Sequence, residues 1–180
     1  NMSSQSIDTS NLVLKNLIKT YKNNFAVRDL SLNVKQHECF GLLGVNGAGK
    51  TTTFKMMTGD ELITSGDIWI KGKCLKTQLL EANQFIGYCP QFDNCIPELT
   101  GRETLKIFAL IRGIKMDEIT EMINQIASEL DFKQHLDKQV KAYSGGNKRK
   151  LSTALALLGN PELIFLDVSL IIIKNVTSKF

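Results

Sequence analysis

The stretch Gly44-Val45-Asn46-Gly47-Ala48-Gly49-Lys50-Thr51 restricts the fold of this chain most severely. Before it stands the apolar run of residues 39–43, which reads as a strand covered on both faces. After it, residues 50–58 read as a helix, with Gly59 placed as its C-terminal cap. Strand, glycine-rich turn and helix in this order build a cradle for phosphate. The glycines let the backbone bend until successive amides face one anion, and the helix N-terminus adds its partial positive charge. Lys50 then supplies a mobile ammonium for the β- and γ-phosphates of a nucleotide, and the Thr51 hydroxyl is suited to Mg²⁺.

Local patterns organise the rest. Residues 1–11 are polar and read as a frayed lead-in, with a folded domain expected from Leu12 onward. Leu30, Leu32 and Val34 alternate with polar residues, as in a half-buried strand, and Gln36-His37-Glu38 supplies the following turn. Thr100-Gly101-Arg102-Glu103 fits a capping box. Leu105, Phe108 and Ile111, then Ile119, Ile123, Ile126 and Leu130, recur at helical spacing, which predicts two amphipathic helices broken near Gly113. A helical insert over residues 97–142 between two β-containing parts follows. Ser144-Gly145-Gly146 opens another helix, carrying Leu151, Ala154, Leu155 and Leu158 and stopping at Gly159-Asn160-Pro161. Leu163-Ile164-Phe165-Leu166 reads as a second buried strand. Asp167 at its carboxyl end stands where open α/β sheets bind ligands, and beside a phosphate loop such a carboxylate holds Mg²⁺.

Composition narrows the function classes. With 22 Lys+Arg against 18 Asp+Glu in 180 residues, the net charge of +4 gives no ground for nucleic-acid binding. Cys39, Cys74, Cys89 and Cys95 form no C-x-x-C pair, and Cys39, Cys74 and Cys89 read as small buried hydrophobes in a reducing, cytosolic setting. The longest apolar stretch, residues 163–173, is interrupted by Asp167 and Ser169 and is far short of the roughly 20 residues that span a bilayer.

Taken with Gln91 in Cys89-Pro90-Gln91, with Tyr143-Ser144-Gly145-Gly146-Asn147 and with Lys148-Arg149-Lys150-Leu151-Ser152, the phosphate loop resembles the nucleotide-binding domain of ATP-binding cassette transporters. Residues 40–52 and Gly87-Tyr88-Cys89-Pro90-Gln91 are most similar to the A subfamily, whose members move lipids across membranes. The resemblance spans residues 12–167 and implies an α/β core sheet of the phosphate-loop NTPase type with an inserted helical subdomain. It implies ATP and Mg²⁺ as cofactors, contacted by Tyr21 on adenine and by Gly44, Asn46, Gly47, Gly49, Lys50, Thr51 and Thr52 on the phosphates. Gln91 would join Thr51 and Asp167 at the metal, and also touch the attacking water. Ser144, Gly145 and Gly146 would contact the γ-phosphate held by a second cassette in a head-to-tail pair. The resemblance further implies transmembrane domains of a parent transporter as partners and a place on the cytoplasmic face of a membrane, with this piece alone expected to be cytoplasmic. Lys148-Arg149-Lys150 reads as a solvated helix face.

The pattern breaks after Asp167. The family places a catalytic Glu next, then further on a switch His; here Val168 occupies that position, and His37 and His135 both lie upstream, as turn or surface residues. Residues 168–180 therefore read as a divergent tail and the chain as C-terminally incomplete, with an uncovered sheet edge, marginal stability and poor hydrolysis expected. Asn1 in place of Met points to a piece of something longer. Two other readings stand beside this one: another phosphate-loop NTPase, weakened by the absence of an N-K-x-D motif, and a nonhydrolysing interaction module.

Overall fold

The computed structural model describes residues 10–91 and 95–167; the readings placed on the divergent tail, including Val168, lie outside the described residues. The chain divides into two compact units, residues 1–86 and 87–180.

In the first unit, alternation of apolar and polar residues produces an antiparallel hairpin of β1 (Ser10–Tyr21) and β2 (Asn24–Lys35). With β3 (Ser65–Ile70) and β4 (Lys73–Cys74) it forms a sheet of order β2-β1-β3-β4. The register Leu12↔Val34, Leu14↔Leu32 and Leu17↔Leu30 brings the three alternating residues of β2 opposite buried leucines of β1. Ile68 and Ile70 complete this apolar face from β3. A register shift between Leu14 and Leu17 bulges β1, and the Asn16 Nδ2 donates to Asp29 Oδ1 at 2.8 Å across it. The strand starts at Ser10 rather than Leu12, because Ser10 pairs with Lys35 and the Asn11 carbonyl accepts from the Lys71 amide. The turn after β2 falls where expected, with His37 in the left-handed region.

Helix α1 (Lys50–Thr58) ends at Gly59, whose φ of 82° closes the last turn, as its sequence predicts. It buries Thr53, Met56 and Met57, spaced to share one face. A short helix α2 (Leu79–Asn83) follows.

The apolar run of residues 39–43 departs from expectation. It forms no strand, and Leu43 is 93% exposed. A strand needs a neighbour whose ladder accepts its amides. Strands β1–β4 pair among themselves, and no ladder reaches this run among the described residues. Cys39 is accordingly exposed, not buried; Cys74 is half-buried and only Cys89 fully buried.

The second unit joins a two-stranded sheet of β5 (Ile86–Cys89) and β6 (Leu163–Leu166) to three helices, α3 (Gly101–Ile111), α4 (Met116–Glu129) and α5 (Gly145–Leu157). The capping box at Thr100 is complete: its hydroxyl accepts from the Glu103 amide at 3.1 Å, and Glu103 Oε2 accepts from the Thr100 amide at 2.8 Å. The break between α3 and α4 contains Gly113, as predicted. Ile119, Ile123 and Ile126 of α4, Leu105 of α3 and Leu151 of α5 meet in one core around Phe132 and Leu136. Two expectations need correction. On α3 the buried partner of Leu105 is Ala109, one turn on, while Phe108 and Ile111 point outward and Ile111 is 74% exposed. In β6 only Phe165 is fully buried, because a two-stranded sheet covers one face. Among the described residues no helix is long and apolar enough to cross a membrane.

Arg102 clamps the helical core from outside, with Nε and Nη2 donating to the two carboxylate oxygens of Asp137 at 2.6 and 3.1 Å. This guanidinium holds the Asp137 carboxyl below its ordinary range, and the Thr100 amide does the same for Glu103. A carboxyl whose folded pKa is depressed contributes stability that is complete above its unfolded value and is lost as pH falls. Urea unfolding of the chain at neutral pH and at about pH 3 is expected to show a loss at the lower pH that shrinks in Asp137→Asn, whose carboxyl no longer titrates. Thr100→Ala is expected to cost about 1 kcal/mol in the same assay at neutral pH.

Candidate nucleotide-binding site

The glycine-rich segment sits at the head of α1, whose N-cap is Gly49. Gly47 and Gly49 hold φ of 83° and 87°, in the left-handed region that side chains disfavour. At Gly49 the restriction is also steric: a Cβ there would lie 2.1 Å from the Ala26 carbonyl oxygen of β2. The cap glycine offers no side chain to the first-turn amides, and no acidic residue stands in that turn. Those amides are thus directed toward an outside acceptor. Lys50 is half-buried and folds back over the loop, its Nζ donating to the carbonyls of Gly44 at 2.7 Å and Val45 at 3.0 Å. An ammonium held this way is already beside the position an anion would take. Thr51 is exposed, Thr52 half-buried, and Gly44 and Asn46 line the exposed loop. Beside this loop, a cavity of about 450 Å³ is lined by Phe25, Val27, Arg28, Leu42, Ala48 and Lys50, among others.

Tyr21 closes β1 in the same unit and is 44% exposed, with its ring presented at the end of the strand. Partial burial, and then the nearby Glu61 carboxylate, raise its ionisation above the ordinary phenol range, so it carries a hydroxyl at neutral pH.

The second unit gathers the other residues. The Asp167 amide donates to the Cys89 carbonyl at 3.0 Å, which sets the carboxyl ends of β5 and β6 side by side. Asp167 and the Pro90-Gln91 segment therefore share one sheet end. Asp167 is buried and its Oδ2 has no hydrogen-bond partner. A buried carboxylate oxygen without a donor is costly unless a cation meets it, so this residue fits a divalent metal. Ser144 caps α5, its hydroxyl accepting from the Asn147 amide at 3.2 Å, and Gly145 and Gly146 are exposed beside it. Gly145 has nothing within 4 Å of a would-be Cβ.

The basic triplet is not a solvated face. Arg149 Nη1 donates to the backbone carbonyls of Pro90 at 3.1 Å and Gln91 at 2.6 Å, and Lys150 Nζ donates to the Asp131 carbonyl at 2.7 Å. These residues, with Lys148, are half-buried. Sequence reading missed Arg149 because its partners are backbone atoms more than fifty residues away, which no local spacing reveals.

The family model of ABC transporters matches residues 27–169. The chain belongs to the ABC transporter family. It is 50% identical over 159 residues to the human phospholipid-transporting ATPase ABCA3, covering 87% of this chain and 9% of that protein. It is 47% identical over 165 residues to rat ATP-binding cassette sub-family A member 2, covering 89% and 7%. To the bovine retinal-specific phospholipid-transporting ATPase ABCA4 it is 50% identical over 161 residues, covering 88% and 7%. This ABC chain thus spans less than a tenth of the length of these A-subfamily relatives. Its fold superimposes on a solved structure of an ATP-binding subunit of an ABC transporter with a TM-score of 0.78 at 27% identity, over 87% of this chain and 65% of that one. A cbiO1 structure from Clostridium perfringens gives 0.77.

Gly49→Ala is expected to weaken nucleotide binding by at least tenfold in calorimetric titration, since the added methyl must displace either α1 or the β2 backbone and the left-handed conformation adds about 1 kcal/mol or more of strain.

Proposed function

We propose that this chain is the ATP-binding cassette of a lipid-moving A-subfamily transporter, and that it binds MgATP on the loop from Gly44 to Thr52. The observation that carries the reading is the helix start at Gly49: uncapped by any side chain, free of acidic residues, and faced by the Lys50 ammonium. The phosphates would be held by the loop amides with Gly44, Asn46, Gly47 and Gly49 shaping the turn, by Lys50, and by the Thr51 and Thr52 hydroxyls. Tyr21 would stack on the adenine ring, an aromatic face against a purine. By the family resemblance Thr51 in the first unit, and Gln91 and Asp167 in the second, would each serve Mg²⁺, and the unpartnered Asp167 Oδ2 supports the role of Asp167. When bound, the metal neutralises charge that builds on the phosphate oxygens during transfer.

The unit of action in this reading is a head-to-tail pair of cassettes, with the α5 start at Ser144, Gly145 and Gly146 meeting the γ-phosphate held by the other. Its exposure and helix-terminal charge support this role. Membrane domains of the parent transporter would couple the cycle to lipid movement at the cytoplasmic face of a membrane. The cassette would extend over residues 12–167, with the helical insert over 97–142.

Turnover is a separate matter. Val168 follows Asp167 in the sequence, and an isopropyl group cannot orient or deprotonate water. That observation supports a chain that retains MgATP while hydrolysing it poorly, acting within the pair as a binding surface. Calorimetry with MgATP is expected to give saturable binding that Lys50→Ala abolishes, with GTP competing no better than ATP. Absence of saturable binding by the wild-type chain overturns the reading. Phosphate release by the wild-type chain is expected near background, and a rise in Val168→Glu would locate the defect at that position.

A further inference from the structure

Around Tyr21 the first unit holds an ion pair that none of the phosphate-binding residues needs. Lys19 lies two residues before Tyr21 in β1, and although the pairing with β2 shifts register between Lys19 and Thr20, the two side chains meet. The Lys19 side chain is only 9% exposed. Its Nζ donates to Glu61 Oε1 at 2.6 Å and to the Leu62 carbonyl at 2.8 Å, and stands 4.7 Å from the centroid of the Tyr21 ring. Glu61 comes from the loop after α1, where its amide donates to the Lys55 carbonyl at 3.1 Å, and its side chain is 28% exposed. The loop is therefore tied both to the phosphate-loop helix and, through Lys19, to the strand that carries the tyrosine.

An ammonium buried against an aromatic face must be matched by acceptors, and here two are supplied in fixed directions. The consequence for the ring is directional. One face of Tyr21 is taken by the cation, and the hydroxyl end faces Glu61 and the Thr52 hydroxyl, so rotation of the ring would break contacts on two sides. With the ring nevertheless 44% exposed, what remains open is the opposite face.

We infer that Lys19 and Glu61 are a positioning pair for base recognition: the Lys19 ammonium backs one face of the Tyr21 ring, Glu61 fixes the ammonium, and a purine is taken on the other face. This rests on the reading that Tyr21 stacks on adenine. Neither residue touches the nucleotide; both act through the tyrosine, by removing the rotational freedom that stacking would otherwise have to freeze.

The test compares MgATP with inorganic tripolyphosphate, which carries the phosphates but no base, in calorimetric titrations of the full chain. In Glu61→Gln and Lys19→Met the dissociation constant for ATP is expected to rise roughly 3- to 20-fold, with tripolyphosphate within twofold of wild type. Equal weakening of both ligands would reveal a merely structural pair and overturn the inference, as would no change in either. Should Lys19→Met fail to fold, the partly exposed Glu61→Gln decides alone. Tyr21→Ala separates the two levels: if it leaves the ratio of ATP to tripolyphosphate affinity at the wild-type value, the stacking reading itself falls. If it lowers that ratio while Glu61→Gln does not, only the positioning role falls.

Discussion

Between β2 and the head of α1 the backbone passes so close that only hydrogen fits at position 49, where a methyl would sit against the Ala26 carbonyl oxygen. That contact fixes where the helix begins relative to the strand, and with it where the first-turn amides point. The loop before it inherits its geometry from this one approach. Gly47 turns the chain back in the left-handed region, and the Lys50 stem runs along the loop to reach the Gly44 and Val45 carbonyls. The ammonium that satisfies two loop carbonyls is then the same group that a phosphate would recruit.

Among the described residues five α-helices begin, and those of α3, α5 and α1 run from capped to open; α2 and α4 also lack a side-chain cap, but acidic residues, Glu81 and then Asp117 and Glu118, stand in their first turns. At α3, Thr100 and Glu103 satisfy two orphan amides reciprocally, leaving nothing for a ligand. At α5, Ser144 satisfies one amide and two exposed glycines follow. At α1 no side chain caps at all. A serine or aspartate in place of Gly49 would add roughly a few tenths of a kcal/mol of capping in an unconstrained helix, so the uncapped start forgoes a little stability that the α3 and α5 starts keep. The order from closed to open matches the order from packing to phosphate contact in the proposed function, with a trans contact at the intermediate case.

Local chemistry made much of this legible in the sequence. The ends of α1, the capping box, the break at Gly113 and the start of α5 each depend on residues within one turn of each other. Misreadings arose where the deciding partner is distant. An apolar run at residues 39–43 looks like a buried strand by composition, yet strand formation depends on a ladder that composition does not contain. Phe108 and Ile111 share helical spacing with Leu105, but the core closes on Ala109, because the width of the buried stripe is set by what packs against it. Within the site, the phosphate loop was readable because its residues are consecutive. The Lys19–Glu61 pair was not readable, since the pairing of β1 shifts register beside Lys19 and Glu61 arrives from a loop forty-two residues on.

Arg149 shows how a residue outside any binding motif can matter to one. Its guanidinium bonds the backbone of Pro90 and Gln91, not the Gln91 side chain, which belongs to an exposed residue. Fixing the main chain while leaving the amide group in solvent sets the reach of that group without deciding its rotamer. The same arginine lies on α5, four residues beyond the helix start. Any displacement of α5 must therefore either carry the Gln91 backbone with it or break two hydrogen bonds to a charged donor, each worth about 1.5–3 kcal/mol when buried. Because these bonds are partly exposed the lower end applies, so the helix start and the glutamine segment are coupled through them only modestly.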